Sequence, residues 1–402
     1  MKVTISPSPL SGVFTAPPSK SAAHRYLIGA SLARGESVIR NIANSADVSA
    51  TLGCIRALGA YAVPAGDSAL AVTGRGIPQS AASLFVGESG STLRFLIPLC
   101  LLSGVPFTFS GAKRLFERPL SVYETLCRER GFYFDKTADS LTVRGKLTPG
   151  RYEIPGDISS QFATGLLFAL PLLGGESELI LTGKTESFSY LRITEKVLAD
   201  FGVSVGFDGV SRFRIPGGQS YFPVDATIEG DASNAAFFEA LALMHGNVRV
   251  TGVPADTLQG DRVFSSLAKK LGSGEKISLA DCPDLAPVLM AVAAERGGAV
   301  FTDTARLKLK ESDRGEAMAA ELRKFGARVT VEENRVTVGN APLHPPETPI
   351  FSHGDHRIVM AAAVLLTKYG GEIEGAEAAE KSFPDFFERL AALGAKVTYD
   401  ET

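Results

Sequence analysis

The stretch Leu390-Ala391-Ala392-Leu393-Gly394-Ala395-Lys396-Val397-Thr398-Tyr399 reads as a helix end, a glycine stop and an alternating strand. Glycine just past a helix accepts a left-handed conformation without steric penalty, and alternation of apolar and polar residues marks a strand. The same helix-Gly-strand pattern occurs at 55–59, 126–131, 197–202, 267–272, 322–326 and 390–394, with strand-like alternation again at 327–331. The stop glycines Gly59, Gly131, Gly202, Gly272, Gly326 and Gly394 are spaced by 72, 71, 70, 54 and 68 residues. A fixed period of this kind signals a repeat architecture.

Upstream in each repeat a polar cluster leads into an apolar run: Ser19-Lys20-Ser21, Glu88-Ser89-Gly90-Ser91, Ile158-Ser159-Ser160-Gln161, Gly230-Asp231-Ala232-Ser233, Asp281-Cys282-Pro283-Asp284 and Gly354-Asp355-His356-Arg357. Ser, Asp and Gly in front of Ala/Leu-rich segments are helix-start chemistry. Each unit of about 70 residues therefore holds two helices and several strands. The shortened spacing after Gly272 predicts that the fourth unit lacks a strand pair. Six units divide into two pseudo-symmetric α/β lobes of three. Breaks at Ala16-Pro17-Pro18, and at Pro216-Gly217-Gly218-Gln219-Ser220 followed by Pro223, place one lobe at 18–222 and the other, discontinuous, at 1–17 plus 223–402.

Length and composition agree. The 402 residues suit two domains, and 45% apolar with 21% charged residues provide for buried cores. With 41 basic against 44 acidic residues the net charge is -3, which argues against a nucleic-acid binder. The apolar stretches around 95–105 and 162–173 are too short for a bilayer crossing. The opening Met-Lys-Val-Thr-Ile-Ser-Pro lacks the apolar core of a secretory signal, so a cytoplasmic location is expected. Cys54, Cys100, Cys127 and Cys282 are scattered and read as buried free thiols. His353 and His356 lack a third ligand in His24, His245 or His344, and no metal is expected. No phosphate loop or dinucleotide fingerprint is present, so no cofactor is implied.

Helix N-termini present N–H groups and partial positive charge to anions. Taken singly these starts read as ordinary capped helices. Beside them, however, stand Lys20, Arg25, Arg94, Arg118, Lys310, Arg314, Arg357 and Lys381. In a chain of net charge -3, cations recurring at element starts are poorly explained as a solvated face. Arginine suits carboxylate and phosphate oxygens because its fork binds them in pairs.

The motifs Pro18-Ser19-Lys20-Ser21 with Arg25, Gly87-Glu88-Ser89-Gly90-Ser91-Thr92-Leu93-Arg94, Glu117-Arg118-Pro119, Ser159-Ser160-Gln161-Phe162, Glu229-Gly230-Asp231-Ala232-Ser233, Lys310-Glu311-Ser312-Asp313-Arg314, Asp355-His356-Arg357 and Lys381-Ser382-Phe383-Pro384-Asp385 resemble, in order, those of the 5-enolpyruvylshikimate-3-phosphate synthase family. The resemblance implies an inside-out α/β barrel type of fold with the active site in the interlobe cleft. It also implies transfer of the enolpyruvyl group of phosphoenolpyruvate to the 5-hydroxyl of shikimate 3-phosphate, in the shikimate pathway of aromatic amino acid biosynthesis, with inhibition by glyphosate. Lys20, Gly90, Arg94, Arg118, Gln161, Arg314, Arg357 and Lys381 would surround phosphoenolpyruvate. Lys20, Ser21, Arg25, Ser159, Ser160, Ser187, Tyr190, Asp284 and Lys310 would hold shikimate 3-phosphate.

The chemistry needs a group that removes the 5-hydroxyl proton and an acid that protonates the methylene carbon. By motif match these are Asp284 and Glu311, with Lys20 stabilising the departing phosphate. Read alone, Asp284 is a helix cap and Glu311 a surface helix residue paired with Lys310 or Arg314. One departure is visible: position 306 is Arg where familiar members have Asn on the shikimate phosphate. The rival readings are a UDP-N-acetylglucosamine enolpyruvyl transferase, whose loop cysteine has no counterpart here, and a non-catalytic anion-binding relative. Small anionic substrates and a monomer are expected, without nucleic-acid or membrane partners.

Overall fold

All six stop glycines have positive φ, from 66° at Gly131 to 105° at Gly394, as residues that close helices in a left-handed conformation. In the computed structural model, which describes residues 1–400, the chain divides into two units, Pro18–Glu229 and Met1–Pro17 with Gly230–Thr402.

Pro18–Glu229 is built from three four-stranded sheets of one topology. In the second, Ala82–Gly87 pairs parallel with Phe107–Gly111, which pairs antiparallel with Ser140–Arg144, which in turn forms a hairpin with Tyr133–Lys136. Arg151–Pro155, Ser177–Thr182, Arg212–Ile215 and Gly206–Phe207 repeat the pattern. The first sheet completes it with Asp225–Thr227 laid parallel to Gly35–Arg40. That pairing corrects the expected boundary. The Pro/Gly-rich stretch at 216–220 is followed by a strand that still belongs to this unit, and Asn41 Nδ2 donates to the carbonyl of Ile228 at 2.7 Å. The crossing therefore falls at Glu229/Gly230 instead of 222/223.

The other unit holds the same four-stranded arrangement twice, as Lys276–Ser278, Ala299–Thr302, Arg335–Gly339 and Arg328–Glu332, and as Ile350–Phe351, Gly371–Glu374, Lys2–Ser6 and Lys396–Asp400. Its third sheet has only two strands, Ser11–Thr15 and Asn247–Thr251. The missing hairpin is the one expected after Gly272, where the chain passes directly into Lys276–Ser278.

A parallel strand pair needs a crossover, and here it is a helix. The crossover helices Gly90–Cys100 and Ser160–Ala169, and Lys20–Leu32, which leads into Gly35–Arg40, are apolar nearly all round because they form the interior of their unit, with the sheets outside. The strands alternate accordingly: in Arg151–Pro155, Tyr152 and Ile154 are buried while Arg151 and Glu153 face out. Replacing the fully buried Leu166 by Ala would cost about 2–5 kcal/mol. Only Lys20, Ser21, Ser91 and Gln161 escape burial in these three helices, and all lie in first turns. In the second unit Ala232–His245, Ala286–Glu295 and His356–Tyr369 have the corresponding positions and core. Among the described residues no helix is long and apolar enough to cross a membrane.

Candidate active site

Five of the six polar clusters cap their helices as the sequence suggests. Ser19, Ser89, Ser159, Asp231 and Asp355 accept from the N–H groups of Ala22, Thr92, Gln161, Asn234 and Arg357. The cap fixes where the next residues point. In Pro18–Glu229, Lys20 opens its helix and Nζ lies 3.0 Å from Asp47 Oδ2. One turn on, Arg25 is buried, with Nη1 donating to the Ser21 carbonyl at 2.6 Å, Nε to Thr194 Oγ1 at 2.9 Å and Nη2 to the Tyr190 carbonyl at 3.2 Å. Burial pulls this guanidinium down to about 9, still a cation at neutral pH. Arg25 thereby ties Ser21 to Tyr190. Ser187, at the start of the helix Phe188–Asp200, is a buried non-glycine residue with φ 56°, a left-handed conformation that concentrates at functional sites.

A second group forms around Gly90. Arg94 Nη1 donates to Gln161 Oε1 at 2.6 Å and Nη2 to the Pro119 carbonyl at 3.0 Å, while Gln161 Nε2 donates to Ser91 Oγ at 2.9 Å. A Cβ built on Gly90 would lie 3.1 Å from Arg118 Nη1 and 3.2 Å from Arg94 Nη1. Gly90, Ser91, Arg94, Arg118 and Gln161 thus share one wall. With Lys20, Ser21, Arg25, Ser159, Ser160, Ser187 and Tyr190 they account for every site residue expected between 18 and 222.

In the other unit the expected residues Asp284, Lys310, Glu311 and Arg357 gather around Arg314, which is fully buried. Its Nη1 lies 2.7 Å from Asp284 Oδ1, Nη2 2.6 Å from Glu311 Oε2, and Nε 2.9 Å from Asp355 Oδ2. Lys310 Nζ lies 3.1 Å from Asp284 Oδ1, and Arg357 Nη1 donates to the Asp284 carbonyl at 3.2 Å. Burial on its own would raise the Asp284 carboxyl, but Lys310, Arg357 and Arg314 together hold it well below the usual range. Burial lowers the Lys310 ammonium, with Asp284 opposing. For Arg314, burial disfavours the charge, yet Asp355, Glu311 and Asp284 outweigh it and push the guanidinium up.

Both plain readings of these carboxyls therefore need revising. Asp284 lies inside a 3-10 turn, Pro283–Leu285, and not at its N-cap position, which is Cys282; its carboxylate meets Lys310, Arg314 and Arg357. Glu311 does pair with Arg314, but it precedes the helix Arg314–Lys324 and is mostly buried. Lys381 closes the 3-10 segment Ala376–Lys381. Arg306 is buried and donates from Nη2 to the Ala280 carbonyl at 2.7 Å. All four cysteines are buried and free, and among the described residues no cluster could hold a metal ion.

Two charged residues, Asp47 and Asp261, were not singled out in the sequence, and Asp355 was read there only as part of a helix start and a motif. Asp47 pairs with Lys20, and Asp355 both caps its helix and braces Arg314. Asp261 is buried beside Ser233, whose hydroxyl donates to Oδ2. Burial, with Asp284 nearby, pushes Asp261 up to about 7. Asp47 follows Ser45, which caps its helix, so helix-start chemistry was the available signal; Asp261 offered none.

Two α/β units built from repeats carry cations at helix starts and carboxylates shared with buried arginines, a chemistry suited to small anions. The comparisons sharpen this. Residues 5–390 match the family EPSP synthase (3-phosphoshikimate 1-carboxyvinyltransferase). The 3-phosphoshikimate 1-carboxyvinyltransferase of Clostridium kluyveri is 39% identical, with 98% of this chain and 98% of that protein covered, and that of Clostridium novyi is 36% identical, with 98% and 97% covered. The fold matches an EPSP synthase structure from Acinetobacter baumannii with a TM-score of 0.81 at 24% identity, over 99% of this chain and 100% of that one. It also matches the enolpyruvyl transferase NikO from Streptomyces tendae, TM-score 0.80 at 17% identity, over 100% and 99%. The chain belongs to the EPSP synthase family and is a transferase.

Proposed function

We infer that the protein transfers the enolpyruvyl group of phosphoenolpyruvate to the 5-hydroxyl of shikimate 3-phosphate, releasing phosphate. Family membership supports the reaction. The residue roles rest on one observation: Asp284 and Glu311 occupy two amino groups of a single buried guanidinium.

Asp284 is the base for the 5-hydroxyl. Held low by Lys310, Arg357 and Arg314, it is ionised at neutral pH but weakly basic. An anion that engages Arg314 and Arg357 draws away the charges that depress it, so basicity rises when phosphoenolpyruvate binds. Glu311, protonated for this step, delivers its proton to the methylene carbon, and addition of the 5-oxygen at the adjacent carbon gives a tetrahedral intermediate. Lys20 stabilises the phosphate as it leaves, the proton taken up by Asp284 departs with that phosphate, and restoring the double bond returns the methylene proton to Glu311. Arg118, Arg94, Gln161 and Gly90 serve phosphoenolpyruvate together with Arg314, Arg357 and Lys381. Ser21, Arg25, Ser159, Ser160, Ser187, Tyr190 and Lys310 serve shikimate 3-phosphate. Phosphate release from phosphoenolpyruvate, assayed with shikimate 3-phosphate and with UDP-N-acetylglucosamine as alternative acceptors, tests the assignment. Turnover with the second acceptor alone would overturn it.

A further inference from the structure

Three helices of the unit Pro18–Glu229 are joined by an unbroken chain of buried side chains. On the helix Lys20–Leu32, Lys20 and His24 are one turn apart; on Ala46–Ala57, so are Asp47 and Thr51. Lys20 meets Asp47, and His24 Nδ1 meets Thr51 Oγ1 at 2.6 Å. Thr51 Oγ1 lies 2.6 Å from Thr92 Oγ1, and Thr92 Oγ1 donates to Ser89 Oγ at 2.7 Å. Ser89 is the cap of the helix Gly90–Cys100 and also accepts from Thr92 N. His24, Thr51, Thr92 and Ser89 are all buried to within 1%.

The direction of this chain fixes a proton. Each hydroxyl has one hydrogen to give. Thr92 spends its hydrogen on Ser89, so in the contact between Thr51 and Thr92 the donor is Thr51. Thr51 then has none left for His24, and Nδ1 must be the donor. The other ring nitrogen agrees: Nε2 is buried and meets no hydrogen-bond partner among the described residues. A buried N–H without an acceptor is rarer than an under-used acceptor, so Nε2 carries the lone pair. Burial, with Lys20 and Arg25 nearby and Asp47 opposing, pushes the imidazole down to about 3, consistent with a neutral ring.

We propose that His24, as its Nδ1–H tautomer, is a positioning residue: through Thr51 and Thr92 it fixes the Ser89 cap, and with it the Gly90 turn, relative to the Lys20 helix. That Gly90 meets phosphoenolpyruvate rests on the function inferred above; the relay itself does not. Asn places an amide N–H where Nδ1–H stands, whereas Phe keeps the ring and loses the donor, so the pair His24→Asn and His24→Phe separates hydrogen bonding from packing.

Nitrogen-15 spectra of the imidazoles, with the His24 signals assigned from their loss in His24→Asn, should show a neutral ring protonated at Nδ1, the less common tautomer in water, from pH 5 to 8. The Gly90 amide resonance should stay near its wild-type position in His24→Asn and move in His24→Phe and Thr51→Val. In turnover, His24→Phe and Thr51→Val should raise KM for phosphoenolpyruvate roughly tenfold, the weight of one lost hydrogen bond, with a smaller change for shikimate 3-phosphate and recovery in His24→Asn. A ring protonated at Nε2, or a Gly90 amide that responds alike to Asn and Phe, overturns the relay. A chain that spares phosphoenolpyruvate but shows the tautomer and the amide shifts would defeat the function while leaving the relay standing.

Discussion

Arg314 grips Asp284 at 2.7 Å with one amino group while its other amino group holds Glu311 at 2.6 Å. The proposed base and the proposed acid thus report to the same cation. Asp284→Asn keeps the shape, and Glu311→Gln likewise, so each should lower kcat by roughly 100-fold or more, the usual weight of a general acid or base. Binding of both substrates should survive. Near-wild-type turnover in either variant, measured by phosphate release, would remove that carboxyl from the chemistry.

Removing Arg314 itself has a second consequence. Arg314→Ala leaves the fully buried Asp355 without the guanidinium that pairs with it and takes from Asp284 one of its three cations, and breaking a buried pair costs about 3–5 kcal/mol. Urea unfolding should show that loss. Because Asp284 is held low when folded, its contribution is complete above the unfolded value of about 4 and disappears as pH falls through the lower folded value. The gap between wild type and Arg314→Ala should therefore narrow in acid. A gap independent of pH would mean that Arg314 acts by packing alone.

Asp261 has the opposite sign. Raised to about 7 by burial and by Asp284, it stays protonated in the folded chain after the unfolded chain has ionised. The unfolded state then binds fewer protons, so this group lowers stability as pH rises from about 4 to about 7. Asp261→Asn keeps an oxygen for Ser233 and removes the ionisation. It should match wild type near pH 4 and exceed it by at least about 1 kcal/mol at pH 7.5. Equal urea midpoints at both pH values would show that Asp261 ionises normally.

The helix starts were legible because caps are local: Ser19, Ser89, Ser159, Asp231 and Asp355 each satisfy an N–H two or three residues away. The strand pair missing after Gly272 was legible for a related reason, since chain length between two stop signals bounds what can be built there. Asp284 was different. Its carboxylate answers Lys310, Arg314 and Arg357, partners that are remote in sequence, and no local pattern separates that role from a cap. The same holds for the relay, where His24, Thr51 and Thr92 come from three helices. The crossing at Glu229 was misplaced because the three-residue strand Asp225–Thr227 has too little alternation to outweigh the Gly/Pro composition just before it.

Lys20 and Asp47 offer a test of preorganisation. If Asp47 holds Nζ in place, Asp47→Asn should lower kcat/KM for phosphoenolpyruvate roughly tenfold or more, the weight of a charge-assisted hydrogen bond. Its effect should largely vanish in a Lys20→Ala background, a coupling that a double-mutant cycle measures directly. Additive losses would mean that the two residues act separately.

Gly90 has no need of its missing side chain for backbone reasons, since its φ lies outside the positive range that L residues avoid. An added methyl would instead meet the ends of two side chains, Arg118 Nη1 at 3.1 Å and Arg94 Nη1 at 3.2 Å. Arg94 is tied to Gln161 and to the Pro119 carbonyl, and both contacts are to the ends of long side chains. Gly90→Ala should therefore fold normally and change the pocket wall by a few tenths of an ångström. Glyphosate, longer than phosphoenolpyruvate and expected from the family resemblance to take the same pocket, should suffer more from that change than the substrate does. The inhibition constant should rise by a larger factor than KM for phosphoenolpyruvate, with the thermal midpoint unchanged. Inhibition titrations on both proteins decide the matter: equal factors, or a wild-type enzyme insensitive to glyphosate, would mean that Gly90 does not line that pocket.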